Sequence, residues 1–113
     1  MRELQILSQS ELPKSNFSRE LEGYLHGGVG LCLILVDVEP GRGPSLHRHR
    51  YDEVFIVQEG VAIFVAGEVE REVAAGEIVI VPAGLPHRFW NSGDGPLRQV
   101  DIHLSERFAT EWL

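Results

Sequence analysis

The sequence predicts an all-β protein built as a sandwich or barrel, and three observations carry that expectation. From residue 29 onward, apolar and β-branched segments of strand length alternate with punctuation by Gly, Pro and Asn. No 3.6-residue period competes with them over a helix-length window. The 113 residues, 43% apolar and 24% charged, suit one hydrophobic core and one domain, 1–113, and are too ordinary in composition for a disordered or fibrous chain.

The elements follow in order. Residues 1–28, with ELPKSNFSREL at their centre, are the least periodic and read as an irregular arm or a brief helical turn ahead of Gly27-Gly28. Such an arm covers a sheet edge, on its own subunit or on a partner. Strands are expected at 29–38, 45–50, 53–58, 61–66, 69–74, 77–81, 86–90 and 97–104. Gly60, Gly67-Glu68, Ala75-Gly76 and Ser92-Gly93-Asp94-Gly95 supply turns between them. The closing SERFATEWL reads as a short helical turn capped by Ser105, with Phe108, Trp112 and Leu113 returning to the body.

Charge and apolar runs narrow the partners. The formal net charge is −7, and no stretch gathers enough Lys or Arg to neutralise a run of phosphates, so nucleic acid is not an expected partner. Arg48 and Arg50 alternate with His47 and His49; on a strand they face the other way and read as solvated or salt-bridged. The N-terminal MRELQILSQSELPKS has no long apolar core and the longest apolar run is LCLILV, so neither a leader nor a membrane span is expected. The single cysteine, Cys32, lies inside that run and reads as an inert buried thiol, consistent with a reducing, cytoplasmic location.

Two motifs carry the chemistry. In GRGPSLHRHRYDEVFIVQEG, Gly41 is followed by His47, His49, Glu53 and Gly60; in GEIVIVPAGLPHRFWN, Gly76 is followed by Pro82, Gly84, His87 and Asn91. These residues and spacings, over 41–91, resemble the two signature motifs of the cupin superfamily at every specified position. The resemblance implies a cupin-type antiparallel jelly-roll β-barrel of six to eight strands, a homodimer, and one divalent transition metal ion held by His47, His49, Glu53 and His87. Fe2+ or Mn2+ is favoured, with Zn2+, Ni2+ or Cu2+ as alternatives.

Strand geometry supports the same set. His47 and His49 are two apart on an extended segment and share a face, Glu53 keeps that parity after a bend at 50–52, and the PAGLPH turn delivers His87 at the head of a strand. Three imidazoles and a carboxylate leave positions free on a five- or six-coordinate ion. By parity Phe55, Val57 and Phe89 are expected to wall a partly apolar substrate pocket. His26 reads as an ordinary surface or hydrogen-bonded histidine, and Tyr51 and Trp90 as structural or interface aromatics.

His103 has two readings. In VDIHL, burial of Val100, Ile102 and Leu104 puts His103 outside, the favoured arrangement; a cavity lined by Asp101 and His103 would instead make it a base beside the metal ligands. GLCLILV is apolar on both faces, so one face suits the core and the other a second subunit or covering arm. The expected function is that of a metal-dependent enzyme on a small molecule, a dioxygenase or oxidase. The alternatives are a metal-dependent isomerase or lyase, or a non-enzymatic small-ligand binder.

Overall fold

Antiparallel pairing organises the chain in the computed structural model, which describes residues 3–113. The strands are β1 (Ser18–Glu22), β2 (Cys32–Val38), β3 (His47–His49), β4 (Glu53–Glu59), β5 (Val61–Ala66), β6 (Val69–Ala74), β7 (Ile78–Val81), β8 (His87–Asn91), β9 (Leu97–His103) and β10 (Thr110–Trp112). They form two facing five-stranded sheets, β1-β2-β9-β4-β7 and β10-β3-β8-β5-β6, the jelly-roll arrangement. All eight segments expected from the sequence are strands, with ends moved by up to three residues.

Two further strands come from the termini. The N-terminal arm contains a short 3-10 turn at Gln9–Glu11, and then β1 runs along the edge of β2 with Leu21 opposite Leu33. The arm therefore covers an edge of its own sheet. The expected C-terminal helical turn is replaced by β10, whose Thr110, Glu111 and Trp112 pair with His49, Arg48 and His47. Pairing wins because β3 otherwise presents an open edge, and the Arg48 guanidinium clamps Glu111 with two contacts of 2.9 Å. Ser105 caps no helix; its hydroxyl bonds the Arg107 carbonyl at 2.8 Å in a local turn.

Alternation along the strands separates two faces. In β3, β4, β8 and β9 every second residue is buried, so His47, His49, Glu53, Phe55, His87 and Phe89 point between the sheets. The core fills the other half of that space with Val36, Val38, Val57, Ala62, Phe64 and Leu97 among others. The outward face of the first sheet is apolar as well. One row across its five strands reads Leu21, Leu33, Ile102, Val54, Ile80, and the next contains Leu35, Val100, Ile56 and Ile78. Ile80 is 69% exposed and Ile78 61%.

Two motif residues work structurally rather than chemically. The buried Asn91 amide donates to the carbonyls of Val38 and Gly95, and its oxygen accepts the Gly93 amide, pinning the loop before β9 to the end of β2. Gly60 has φ 88° and a Cβ there would lie 2.4 Å from the Pro96 carbonyl oxygen, so only glycine fits the β4–β5 turn. Gly43, outside the motifs, is packed more tightly: an added Cβ would sit 2.0 Å from the Phe89 carbonyl oxygen and 2.8 Å from Trp90 Cα. Gly43→Ala is therefore expected to destabilise the protein by about 1–3 kcal/mol, read as a lower denaturant midpoint at unchanged slope. An unchanged midpoint would show that this backbone approach is soft.

Candidate metal centre

Three imidazoles converge from the second sheet. His47 lies directly across from His87 in the β3–β8 pairing, and His49 follows two residues along β3 on the same face. The turn between β7 and β8 is held by the Ala83 amide on Asp52 Oδ1 (2.8 Å) and the Gly84 amide on the His49 carbonyl (2.7 Å). That fixes where β8 begins and so where His87 points. Glu53, at the head of β4, enters from the first sheet and is 2% exposed. One ligand atom from each of the four lies within 4.8 Å of the others.

Hydrogen bonding decides which nitrogens face inward. The Nδ1 atoms of His47, His49 and His87 lie 2.7, 3.0 and 2.8 Å from the carbonyl oxygens of Ser45, Ala109 and Leu85. A carbonyl can only accept, so each neutral ring carries its proton on Nδ1 and turns a bare Nε2 lone pair toward the centre. There His49 Nε2 lies 3.1 Å and His87 Nε2 3.2 Å from Glu53 Oε1. His49 Nε2 is buried without a hydrogen-bond partner. Lone pairs and a carboxylate facing one another repel unless a cation stands among them, and three nitrogens with one oxygen suit a divalent transition metal. The residues fit such an ion.

Burial and mutual contact shift three of these groups, not all in one direction. Burial, reinforced by the neighbouring His87 and His49, pushes His47 down to about 4, against the opposing Ser45 carbonyl. Burial would also lower His49, but Glu53 and the Ala109 carbonyl together hold it above its ordinary value. Burial would raise Glu53; contacts with His103, His49 and His87 outweigh it and hold the carboxyl well below the usual range.

Because an ion needs neutral imidazoles, acidification releases it. His49, held above its ordinary value, takes a proton more readily than His47, which holds out to about 4. The depressed His47 and Glu53 also favour the folded state above their unfolded values and lose that contribution as pH falls, with the raised His49 opposing in part. Progressive loss of metal as pH falls from neutrality to about 4, followed by equilibrium dialysis, is the expected result; full retention at pH 4 would contradict it.

His103 is inside, against the favoured expectation. It is 2% exposed, and its Nε2 faces Glu53 Oε2 at 3.0 Å, within ion-pair distance, while its Nδ1 meets the Tyr51 hydroxyl at 2.7 Å. The Ala109 amide donates to that same hydroxyl oxygen at 3.3 Å, leaving the hydroxyl proton for His103 Nδ1 and the imidazole proton on Nε2, toward the carboxylate. Burial pushes Tyr51 up to about 12, so the hydroxyl keeps its proton. Tyr51 thus orients His103, and His103 steadies the outer oxygen of Glu53. The expectation failed because Val100 and Ile102 of β9 face outward, on the apolar outer side of the sheet, while Gln99, Asp101 and His103 face in with Leu97.

Beside this centre is a cavity of about 270 Å³. Phe55 and Phe89 line it; Val57 does not, because it stands one strand repeat farther into the closed core, opposite Gln99. Asp101 of β9 lines it too, as only the second reading of VDIHL anticipates, and so do residues the sequence did not assign to the wall, among them Glu20 from β1 and Phe108, Thr110 and Trp112 from the C-terminal segment. Parity alone would have found Asp101 once His103 was placed inside; the others depend on pairing of distant segments. His26 is not part of the metal-ligating group, and Arg48 faces away from it, paired with Glu111.

Comparison with known proteins agrees with the geometry. The family model described as "Cupin domain" matches residues 34–103. Auxin-binding protein T85 of Nicotiana tabacum is 26% identical over 85% of this chain and 60% of its own length. Germin-like protein 1-1 of Oryza sativa subsp. japonica is 32% identical over 74% of this chain and 41% of its own. The chain thus spans less than two thirds of these relatives. Among solved structures, Bacillus subtilis oxalate decarboxylase, studied for its Mn(II) centres, superposes with a TM-score of 0.79 at 24% identity over 92% of this chain and 30% of that one. An oxalate oxidase superposes with a TM-score of 0.80 at 21% identity over 96% and 63%. At these identities the likeness is one of fold.

Proposed function

The chain belongs to the cupin family, and from that premise we propose that it is a single-domain, small-molecule metalloenzyme, a dioxygenase or oxidase, holding one divalent metal through His47, His49, Glu53 and His87. The observation that carries this reading is the set of three carbonyl-locked imidazoles gathered with Glu53 beside a cavity. When bound, such an ion supplies Lewis acidity and a template for substrate. The chain's own residues do the rest: Phe55 and Phe89 exclude water on one side, and His103 with Tyr51 holds a proton beside Glu53. Fe2+ or Mn2+ is the proposed ion, the Mn(II) centres of oxalate decarboxylase lending support to the second.

Dioxygen uptake tests the reading. Anaerobic Fe2+-loaded protein is mixed with catechols or β-diketones and then exposed to oxygen; consumption in step with substrate loss is expected. A spectral change without oxygen uptake would make the protein a binder, a reading that the name of the tobacco auxin-binding relative also supports. A second enzymatic reading, isomerase or lyase, gains from the inward His103 and its Tyr51 partner, which provide an acid–base pair beside the centre. Turnover without oxygen would favour it. Affinity order favours copper and zinc, so metal analysis needs protein grown with iron and manganese in excess.

Homodimerisation is part of the same proposal. The apolar outer rows of the first sheet form a patch of the kind that marks an interface, and an isologous contact would bury it against its own copy. Ile80→Lys is expected to convert a dimer to a monomer in light scattering, with metal content unchanged. A monomeric parent protein would overturn the dimer. No helix among the described residues is long and apolar enough to cross a membrane; a cytoplasmic location is proposed on the one buried, unpaired cysteine.

A further inference from the structure

The cavity beside the metal centre is one-sided in charge. Its walls are apolar through Phe17, Ile34, Phe55, Phe89 and Phe108, and no Lys or Arg lines it. Apart from the metal group and His103, its ionisable lining residues are Glu20 and Asp101. Strand register places both in one row on the cavity side of the first sheet. His103 lies across from Glu53, and Asp101, two residues back along β9 and so about 7 Å away, lies across from Phe55. In that same row Ile34 separates Asp101 from Glu20. A molecule reaching from the metal ligands along the sheet therefore meets two carboxyls.

This end of the cavity is also short of donors. Asp101 is 3% exposed, and among the described residues the hydrogen bond its carboxyl makes is to Gln99 Nε2, at 2.8 Å on Oδ1. A carboxyl has room for more than one donor, and a ligand that brings one into the cavity adds a hydrogen bond to Asp101. Burial and the nearby Glu53 push Asp101 toward its protonated form, which suits a neutral ligand and is reversed beside an ammonium. In neither state does it offer a counter-charge to an anion.

Resting on the metal-centred reading above, we propose that this cavity selects a small, partly apolar, neutral or cationic molecule. Its amine or hydroxyl meets Asp101 and Glu20 while its chelating end reaches the metal, and ligands with a distal carboxylate are disfavoured. Oxalate, after which the structurally similar decarboxylase and oxidase are named, is a dianion with no cationic side chain to receive it in this pocket.

The test holds the chelating end constant and varies the tail. Co2+-loaded protein under argon is titrated with catechol, dopamine and 3,4-dihydroxyphenylacetate, and binding is read from the cobalt visible spectrum. Dopamine is expected to bind at least about tenfold more tightly than the carboxylate-tailed probe, well within what one charge contact provides at an effective dielectric of about 20. Glu20→Gln and Asp101→Asn should each narrow that gap severalfold and leave catechol itself nearly unchanged. Glu20→Gln alone suffices if the more buried Asp101→Asn variant does not fold. Metal-dependent binding of all three probes with equal or reversed order, or a gap untouched by the variants, would overturn this inference and leave the metal centre standing. No cobalt-dependent binding of any probe would strike the metal-centred reading, and this inference with it.

Discussion

His49→Ala is expected to lower metal affinity by more than about a hundredfold while leaving a folded barrel. Removing only the outer hydrogen-bond partner of a ligand typically costs 10–100-fold, and this variant deletes a ligand whose Nε2 is buried, unpartnered and 3.1 Å from Glu53 Oε1. The barrel should survive because β3 is still held by β8 and β10, by the Gly84 amide on the residue-49 carbonyl and by the Arg48–Glu111 clamp, none of which needs the imidazole. The core lies on the other side of the cavity and is large enough to fold without metal. Metal content by mass spectrometry, with circular dichroism on the same sample, checks both halves. His26→Ala, outside the metal group, is the control and should keep its ion. A His49→Ala protein that stays fully metallated would remove His49 from the ligand set.

The largest expected effect on stability comes from Phe55→Ala, about 3–5 kcal/mol out of a total of roughly 5–15. Phe55 is 1% exposed and meets Phe64 edge-on at a centroid distance of 5.0 Å and His87 at 5.9 Å. Its loss opens the existing cavity toward the core rather than leaving a site that can collapse. Because it shares β4 with Glu53 and touches His87, metal affinity should fall too, by less than in His49→Ala. Phe55→Leu should recover most of the stability. Denaturant unfolding in the presence of a chelator separates packing from metal binding; a loss under about 1 kcal/mol would mean that Phe55 carries little of the core.

The candidate ligands were legible in the sequence because their geometry is local. His47 and His49 need only strand parity, Glu53 a bend, and His87 a turn made by proline and glycine. The strands β2 to β9 were legible as apolar or alternating segments bounded by Gly, Pro and Asn. β1 and β10 were not, since SRELE and TEW have little strand preference of their own and are extended because β2 and β3 offer them edges. His103 was misplaced by a rule that is sound for most half-buried sheets. Here the outer face is apolar across five strands, and the inner face is polar where it meets the site, so the apolar side of VDIHL was the wrong guide. Glu20, Phe108 and Trp112 reach the cavity only through pairing of the chain ends, which no local pattern records.

X-ray absorption at the metal edge, on protein loaded with one equivalent of Mn2+ or Fe2+, bears most directly on the centre. The expected spectrum has three imidazole rings and one carboxylate oxygen at roughly 2.0–2.3 Å, completed by light oxygen scatterers, and it loses one imidazole in His49→Ala. A first shell of oxygen alone, with no imidazole scattering, would mean that the three inward Nε2 atoms serve something other than a cation.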